Sequence, residues 1–142
     1  VLKPVAFWDA SALVTLCVTQ ASTPQALLLE SKYRITVWWA THVEITSALA
    51  QLVRQEQITS LDFAHGKRQS EHLANVWRIV APSAKIALDA RVLLERYPLR
   101  AADALQLAAA LEWCEGKPNG KVFLTFDKRL REAAGLAGFT LE

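Results

Sequence analysis

The order of apolar segments predicts an α/β fold: a parallel central sheet of about four to five short strands, flanked by helices on both faces. Three observations carry that reading. Short apolar or β-branched runs alternate with longer stretches of helical spacing. The runs stand too far apart for hairpins, so crossovers join them and the strands lie parallel. The first run, Val5-Ala-Phe-Trp8, shows no polar alternation, as expected of a strand buried on both faces. With 142 residues, 52% of them hydrophobic, the chain suits a single domain over residues 1–142 with a sizeable core. No linker, repeat or low-complexity run divides it.

The first strand stops at Asp9, and Ala10 to Val18 has helical spacing with Leu13, Leu16 and Cys17 on one side; Asp9 or Ser11 is the candidate cap. Thr23-Pro24 reads as a helix start, Thr at N-cap and Pro at N1, with the helix ending near Ser31. Arg34-Ile-Thr-Val-Trp38 is β-branched and aromatic, a second strand. Thr41-His-Val-Glu44 has the form of a capping box and opens a helix to about Gln55. Ser60 is expected to cap a helix through Leu61, Ala64, Leu73 and Val76, although Gly66 and Lys67-Arg68 weaken its middle. Trp77-Arg-Ile-Val80 is a third strand. Pro82 marks the start of a helix with the stripe Ile86, Ala90, Leu93 and Leu94.

Pro98 ends that helix and begins the next, which runs to Cys114 or Glu115 and is apolar almost all the way round. Alanines fill it, and alanine both favours helix and permits close packing. Gly116, Pro118, Asn119 and Gly120 form a loop, Lys121-Val-Phe-Leu-Thr125 is a fourth strand, and a short helix from Lys128 to Ala134 is stopped by Gly135. Phe139-Thr-Leu141 is a candidate last edge strand.

Composition narrows the class. A net charge of +2 is too small for a strong non-specific hold on nucleic acid, though it allows a local basic rim. Cys17 and Cys114 form no C-x-x-C pair and read as buried thiols. No apolar run reaches the ~18–20 residues that span a bilayer, and Val1 to Trp8 is too short for a secretory signal. A compact cytoplasmic protein is expected, with no membrane partner. With no methionine, even at position 1, the original first residue is expected to be missing.

Four carboxylates stand out. Asp9 and Asp127 each follow a strand and precede a helix, and taken singly each is an N-cap. Glu44 is explained singly by the capping box, and Asp103 in a first helical turn by the helix dipole. Together they say more. Ligands of open parallel sheets bind outside the carboxyl ends of the strands, where Asp9 and Asp127 lie and from which the helix of Glu44 starts. Asp103 follows a helix, so topology alone does not place it. Clustered carboxylates raise one another's pKa values, and a hard divalent cation resolves the repulsion. Such a pocket points to metal-assisted phosphodiester chemistry and requires Asp9, Glu44 and Asp103 to converge within reach of ~2–2.6 Å metal–oxygen bonds.

The segments Phe7-Trp-Asp9-Ala-Ser11-Ala-Leu13-Val, Glu44-Ile-Thr-Ser-Ala48-Leu, Leu99-Arg-Ala-Ala-Asp103-Ala-Leu105-Gln-Leu-Ala108-Ala and Leu124-Thr-Phe-Asp127-Lys-Arg-Leu130 together resemble the PIN-domain ribonucleases, most closely the VapC-type toxins of toxin–antitoxin pairs. The resemblance runs from Phe7 to about Phe139. It implies that Asp9, Glu44, Asp103 and Asp127 form the acidic metal-binding set and that the Ser11 hydroxyl supports it. Asp9 and Asp103 are the first choice for direct ligands of one or two Mg²⁺ or Mn²⁺ ions. Glu44 would bind through water or orient the attacking water, and Asp127 would complete the set. The implied reaction is endonucleolytic hydrolysis of RNA, leaving a 5′-phosphate and a 3′-hydroxyl. A homodimer and a small antitoxin protein are implied as partners, the antitoxin lying partly on exposed apolar positions of the second and fourth helices and covering the acidic site. Some relatives carry further acids near the last motif; here Lys128 and Arg129 follow Asp127, which weakens the case for a second ion. The alternative is a catalytically inactive PIN-like interaction module, its acids serving as helix caps.

Arg100, Lys128, Arg129 and Arg131 are candidates for RNA backbone contacts, with a solvated face the competing explanation. Other signals fall away. His42-Val-Glu44 lacks the P-C-x-x-C partner of a zinc deaminase. His65 and His72 lack further ligands at zinc spacing. Gly116 to Lys121 precedes a strand and is no P-loop, and there is no G-x-S-x-G elbow. Of the five tryptophans, only Trp39 lies where it would border the proposed site; the others read as core or interface.

Overall fold

The computed structural model describes residues 2–142; Val1 lies outside them. The chain order is β1 (Val5–Trp8), α1 (Ala10–Cys17), α2 (Thr23–Lys32), β2 (Arg34–Trp38), α3 (Thr41–Arg54), α4 (Ser60–Ala74), β3 (Arg78–Val80), α5 (Ala84–Arg96), α6 (Ala101–Trp113), β4 (Val122–Leu124) and α7 (Lys128–Ala137). The sheet has the order β3-β2-β1-β4, and every pair is parallel. The candidate last strand is reduced to a single parallel bridge between Thr140 and Val122.

Successive strand residues point to opposite faces, and each face has its own core. Ala6, Trp8, Ile35, Val37 and Leu124 pack with α1 and with residues of α2, α3 and α4. Phe7, Trp38 and Phe123 pack on the other face with α5, α6 and α7. The alanine-rich helix occupies the centre of the second core, where Ala104, Leu107, Ala108, Ala109 and Ala110 are wholly buried. Its small side chains let α5 and the sheet approach its backbone.

Several local expectations change. The helix expected to begin at Pro98 starts at Ala101, which leaves Asp103 in its first turn. Thr23 does not cap α2. Ser22 occupies that position without a side-chain bond, and the Thr23 hydroxyl instead donates to the Thr15 carbonyl at 2.7 Å, joining α2 to α1. The capping box lies at Thr59 and Asp62 at the start of α4, with bonds of 2.9 and 3.0 Å, and Ser60 is already helical. Gly66 does not weaken α4. It is buried where α4 crosses α1 and α3, and a Cβ there would sit 3.0 Å from a Val18 methyl and 3.3 Å from Leu49. Gly135 lies inside α7. The helix ends three residues later, at Gly138, whose φ of 112° only glycine adopts freely.

Candidate active site

In sheet order, β2 lies on one side of β1 and β4 on the other. The helices that follow β1 and β4 leave to opposite faces, α1 into the first core and α7 into the second. The carboxyl ends of β1 and β4 therefore border the switch-point crevice in which open α/β sheets bind ligands. Asp9 begins there, its N–H donating to the Leu124 carbonyl of β4 at 2.9 Å.

Asp9 is 3% exposed and caps α1 as expected. Its Oδ2 accepts from the Ser11 hydroxyl at 2.6 Å, the Thr125 hydroxyl at 2.8 Å and the Ser11 N–H at 3.3 Å. Those two hydroxyls lie 3.1 Å apart, and each also accepts a backbone N–H: Ser11 from Phe126 at 2.9 Å, Thr125 from Asp127 at 3.0 Å. A hydroxyl pair thus ties the turn after β4 to one oxygen of Asp9, and none of these bonds reaches Oδ1. Burial raises the Asp9 carboxyl above the usual range, against the opposing pull of the hydroxyl bonds.

Asp127 caps α7, its Oδ1 accepting from the Leu130 N–H at 2.9 Å. Asp103 stands half-buried in the first turn of α6. Burial first, then the charges of Asp127 and Asp9, push its pKa up to about 6, with Arg100 opposing them. Glu44 is raised to about 7 by burial and by the charges of Asp9 and Asp103, while a hydrogen bond from Gln106 opposes the rise. The four carboxylates are therefore linked by mutual repulsion around the carboxyl ends of β1 and β4, and none forms an ion pair among the described residues.

Glu44 arrives there by a route other than the expected capping box. Ala40 is the N-cap of α3 and makes no side-chain bond. Thr41, the first helical residue, is fully buried, and its hydroxyl accepts from Gln106 Nε2 at 3.0 Å. The same nitrogen donates to Glu44 Oε1 at 3.0 Å. Glu44 is thus held from α6 rather than by its own helix end. The required convergence on one point is also not met. Among the described residues, no three His, Cys, Asp or Glu side chains close tightly enough to hold an ion by themselves. The acids are spread around the strand ends rather than gathered at a single coordination point. An all-oxygen, acidic donor set of this kind fits Mg²⁺ or Mn²⁺, since Mg²⁺ keeps several waters and takes only one or two carboxylates directly.

Thr125 and Gln106 are the polar side chains that motif spacing did not single out. Thr125 sits two residues before Asp127, as Ser11 sits two after Asp9, so a hydroxyl beside each strand-end acid was the available signal. Around the crevice, Lys128 and Arg129 are exposed, as is Arg100, whereas Arg131 donates to the Glu142 carbonyl at 2.9 Å. Trp39 follows β2 at the same sheet edge and is 58% exposed; Trp8, Trp38 and Trp77 are buried, and Trp113 is partly so. Cys17 and Cys114 are buried free thiols.

The PIN domain family matches residues 6–136. The chain is 32% identical to Ribonuclease VapC45 of Mycobacterium tuberculosis over 136 residues, covering 95% of this chain and 92% of that protein. Its fold is similar to that of VapC20 from Mycobacterium tuberculosis, described as a sarcin-ricin loop cleaving toxin. The TM-score is 0.67 at 18% identity, over 95% of this chain and 96% of that one. A toxin–antitoxin complex from Klebsiella pneumoniae matches with a TM-score of 0.61 at 19% identity, over 87% of this chain and 88% of that one. The matched residues contain all four acidic positions of the crevice, and the chain belongs to the PIN domain family.

Proposed function

We propose that this protein is a divalent-metal-dependent endoribonuclease, acting as the toxin of a toxin–antitoxin pair. The observation that carries the reading is the crevice itself. Four carboxylates from four separate elements gather about one switch point, two with pKa values raised to about 6 and about 7, and among the described residues no cation pairs with them. A fold that buries charge this way is supported by a ligand that offsets it.

Asp9 Oδ1 and Asp103 are the direct ligands in this proposal, Glu44 binds through water or orients the attacking water, and Asp127 completes the set. A bound Mg²⁺ or Mn²⁺ would lower the pKa of water and offset charge on the phosphoryl oxygens. The chain's own contribution is orientation. Ser11 and Thr125 fix the Asp9 rotamer through Oδ2, and the α6 N-terminus favours an ionised Asp103. Arg100, Lys128 and Arg129 supply positive charge for the RNA backbone at the rim.

The antitoxin reading draws on the similarity to a toxin–antitoxin complex and on exposed apolar side chains at Leu27 and Leu28 of α2 and Leu61 of α4. A homodimer is part of the same proposal. No helix among the described residues is long and apolar enough to cross a membrane.

The deciding experiment incubates purified protein with total RNA, with Mg²⁺ or Mn²⁺ and with chelator, beside Asp9→Asn. Metal-dependent cleavage leaving 5′-phosphate ends, abolished by the substitution, is the expected result. Protein that leaves RNA intact in both metals, or an Asp9→Asn variant that cleaves like the parent, refutes the enzyme.

A further inference from the structure

Gln106 is a fully buried polar side chain in the middle of the alanine-rich helix α6, where Ala104, Leu107, Ala108, Ala109 and Ala110 are wholly buried around it. Its Nε2 donates both hydrogens, one to Thr41 Oγ1 and one to Glu44 Oε1, each at 3.0 Å. Its Oε1 is buried and has no hydrogen-bond partner among the described residues. A buried carbonyl oxygen left unpaired is unfavourable, and in native proteins it marks a constraint met elsewhere. The constraint here is visible. Turning the amide over would place Oε1 against an oxygen of Glu44, acceptor against acceptor, so the present orientation serves Glu44 at the expense of the amide's own pairing.

Glu44 needs such a restraint. Asp9 and Asp103 both repel its carboxylate, and a half-buried side chain at the start of a helix has water into which to swing. Gln106 lies one helical turn after Asp103, so the two share a face of α6. We propose that Gln106 is a positioning residue for the acidic crevice: it holds Glu44 inward against the repulsion of Asp9 and Asp103, and through Thr41 it sets the first turn of α3 against α6. It touches no reacting atom and acts through Glu44. The inference rests on the metal-dependent reading for its functional consequence, while the placement of Glu44 is testable without metal or substrate.

The test uses Gln106→Leu, which keeps side-chain bulk and removes the amide. In a crystal structure of the metal-free variant, Glu44 should leave its present rotamer and point to solvent. Mn²⁺ affinity, followed by the electron paramagnetic resonance of free Mn²⁺, should fall roughly 10–100-fold. Added to Glu44→Ala, the same substitution should cost no further Mn²⁺ affinity, because its effect passes through the missing carboxylate. The melting temperature should stay near the parent value, since an unpaired buried oxygen goes with the amide. Glu44 unmoved in Gln106→Leu, or an equal further loss of affinity on the Glu44→Ala background, overturns the proposal. Parent protein that binds no Mn²⁺ while Glu44 swings out in the variant refutes the metal-dependent reading and leaves the positioning role supported.

Discussion

Asp9 shows how one residue can serve the fold and, in the proposed function, the chemistry at once. It caps α1, bonds two hydroxyls and is nearly out of water, so its charge is held at a cost that the hydroxyls only partly offset. Asp9→Asn keeps a side-chain acceptor and removes the charge. The metal-free variant should be more stable than the parent by roughly 0.5–2 kcal/mol, read by urea denaturation, and should have no metal-dependent activity. Ser11→Ala should do the reverse to the fold. It strands the Phe126 N–H and takes the shortest bond from Asp9, for an expected loss of about 1–3 kcal/mol in the same measurement.

At the scale of elements, helix ends and helix crossings decide where the acids stand. The cap on α7 comes from the Asp127 side chain, which also faces Asp103 across the crevice. Asn caps a helix about as well as Asp, so Asp127→Asn should keep stability within a few tenths of a kcal/mol while weakening Mn²⁺ binding. Asp127→Ala should lose about 1 kcal/mol as well. Comparing the two variants by thermal melts and Mn²⁺ titration separates the cap from the charge. On the far face, α4 reaches α1 and α3 closely because residue 66 has no side chain. Gly66→Leu should overpack that crossing and destabilise the protein by about 1–3 kcal/mol, with no direct effect on the crevice.

For the whole molecule, the crevice links stability to pH and, in the proposed function, to metal. Glu44 moves from 4.5 to about 7 and Asp103 from 3.8 to about 6 on folding. The folded state therefore binds these protons more tightly than the unfolded chain, and stability falls as pH rises across those windows. The contribution is fully present below the unfolded values and is lost once pH passes the folded ones. Glu44→Gln stays uncharged, so its melting temperature in chelator should pull ahead of the parent as pH climbs from 4.5 to about 7. Metal binding, as proposed, would oppose that trend because it selects the ionised carboxylates. Above about pH 7, Mn²⁺ at a hundredfold excess over its Kd should restore about 2.7 kcal/mol, seen as a metal-dependent rise in melting temperature.

The amino-acid sequence by itself determined the class of fold and the chain positions of the acids. Periodicity and turn residues are local, and so are the strand ends before Asp9 and Asp127, their caps, and the apolar run from Leu107 to Leu111. Thr41-His-Val-Glu44 shows the limit of local reading. It has the composition of a capping box, yet Thr41 and Glu44 both turn to Gln106, sixty-odd residues away, because α6 packs behind the crevice and offers a buried donor. Gly66 is the same lesson in an apolar setting: its conformational cost to a helix is visible locally, its packing value only where three helices cross. Tertiary structure alone decided that Asp103, which no strand end places, would face Asp9 and Asp127, and that Glu44 would be held inward by an amide. Both outcomes depend on how α6 lies against the sheet and α3, and non-local packing of that kind leaves no periodic trace in the chain.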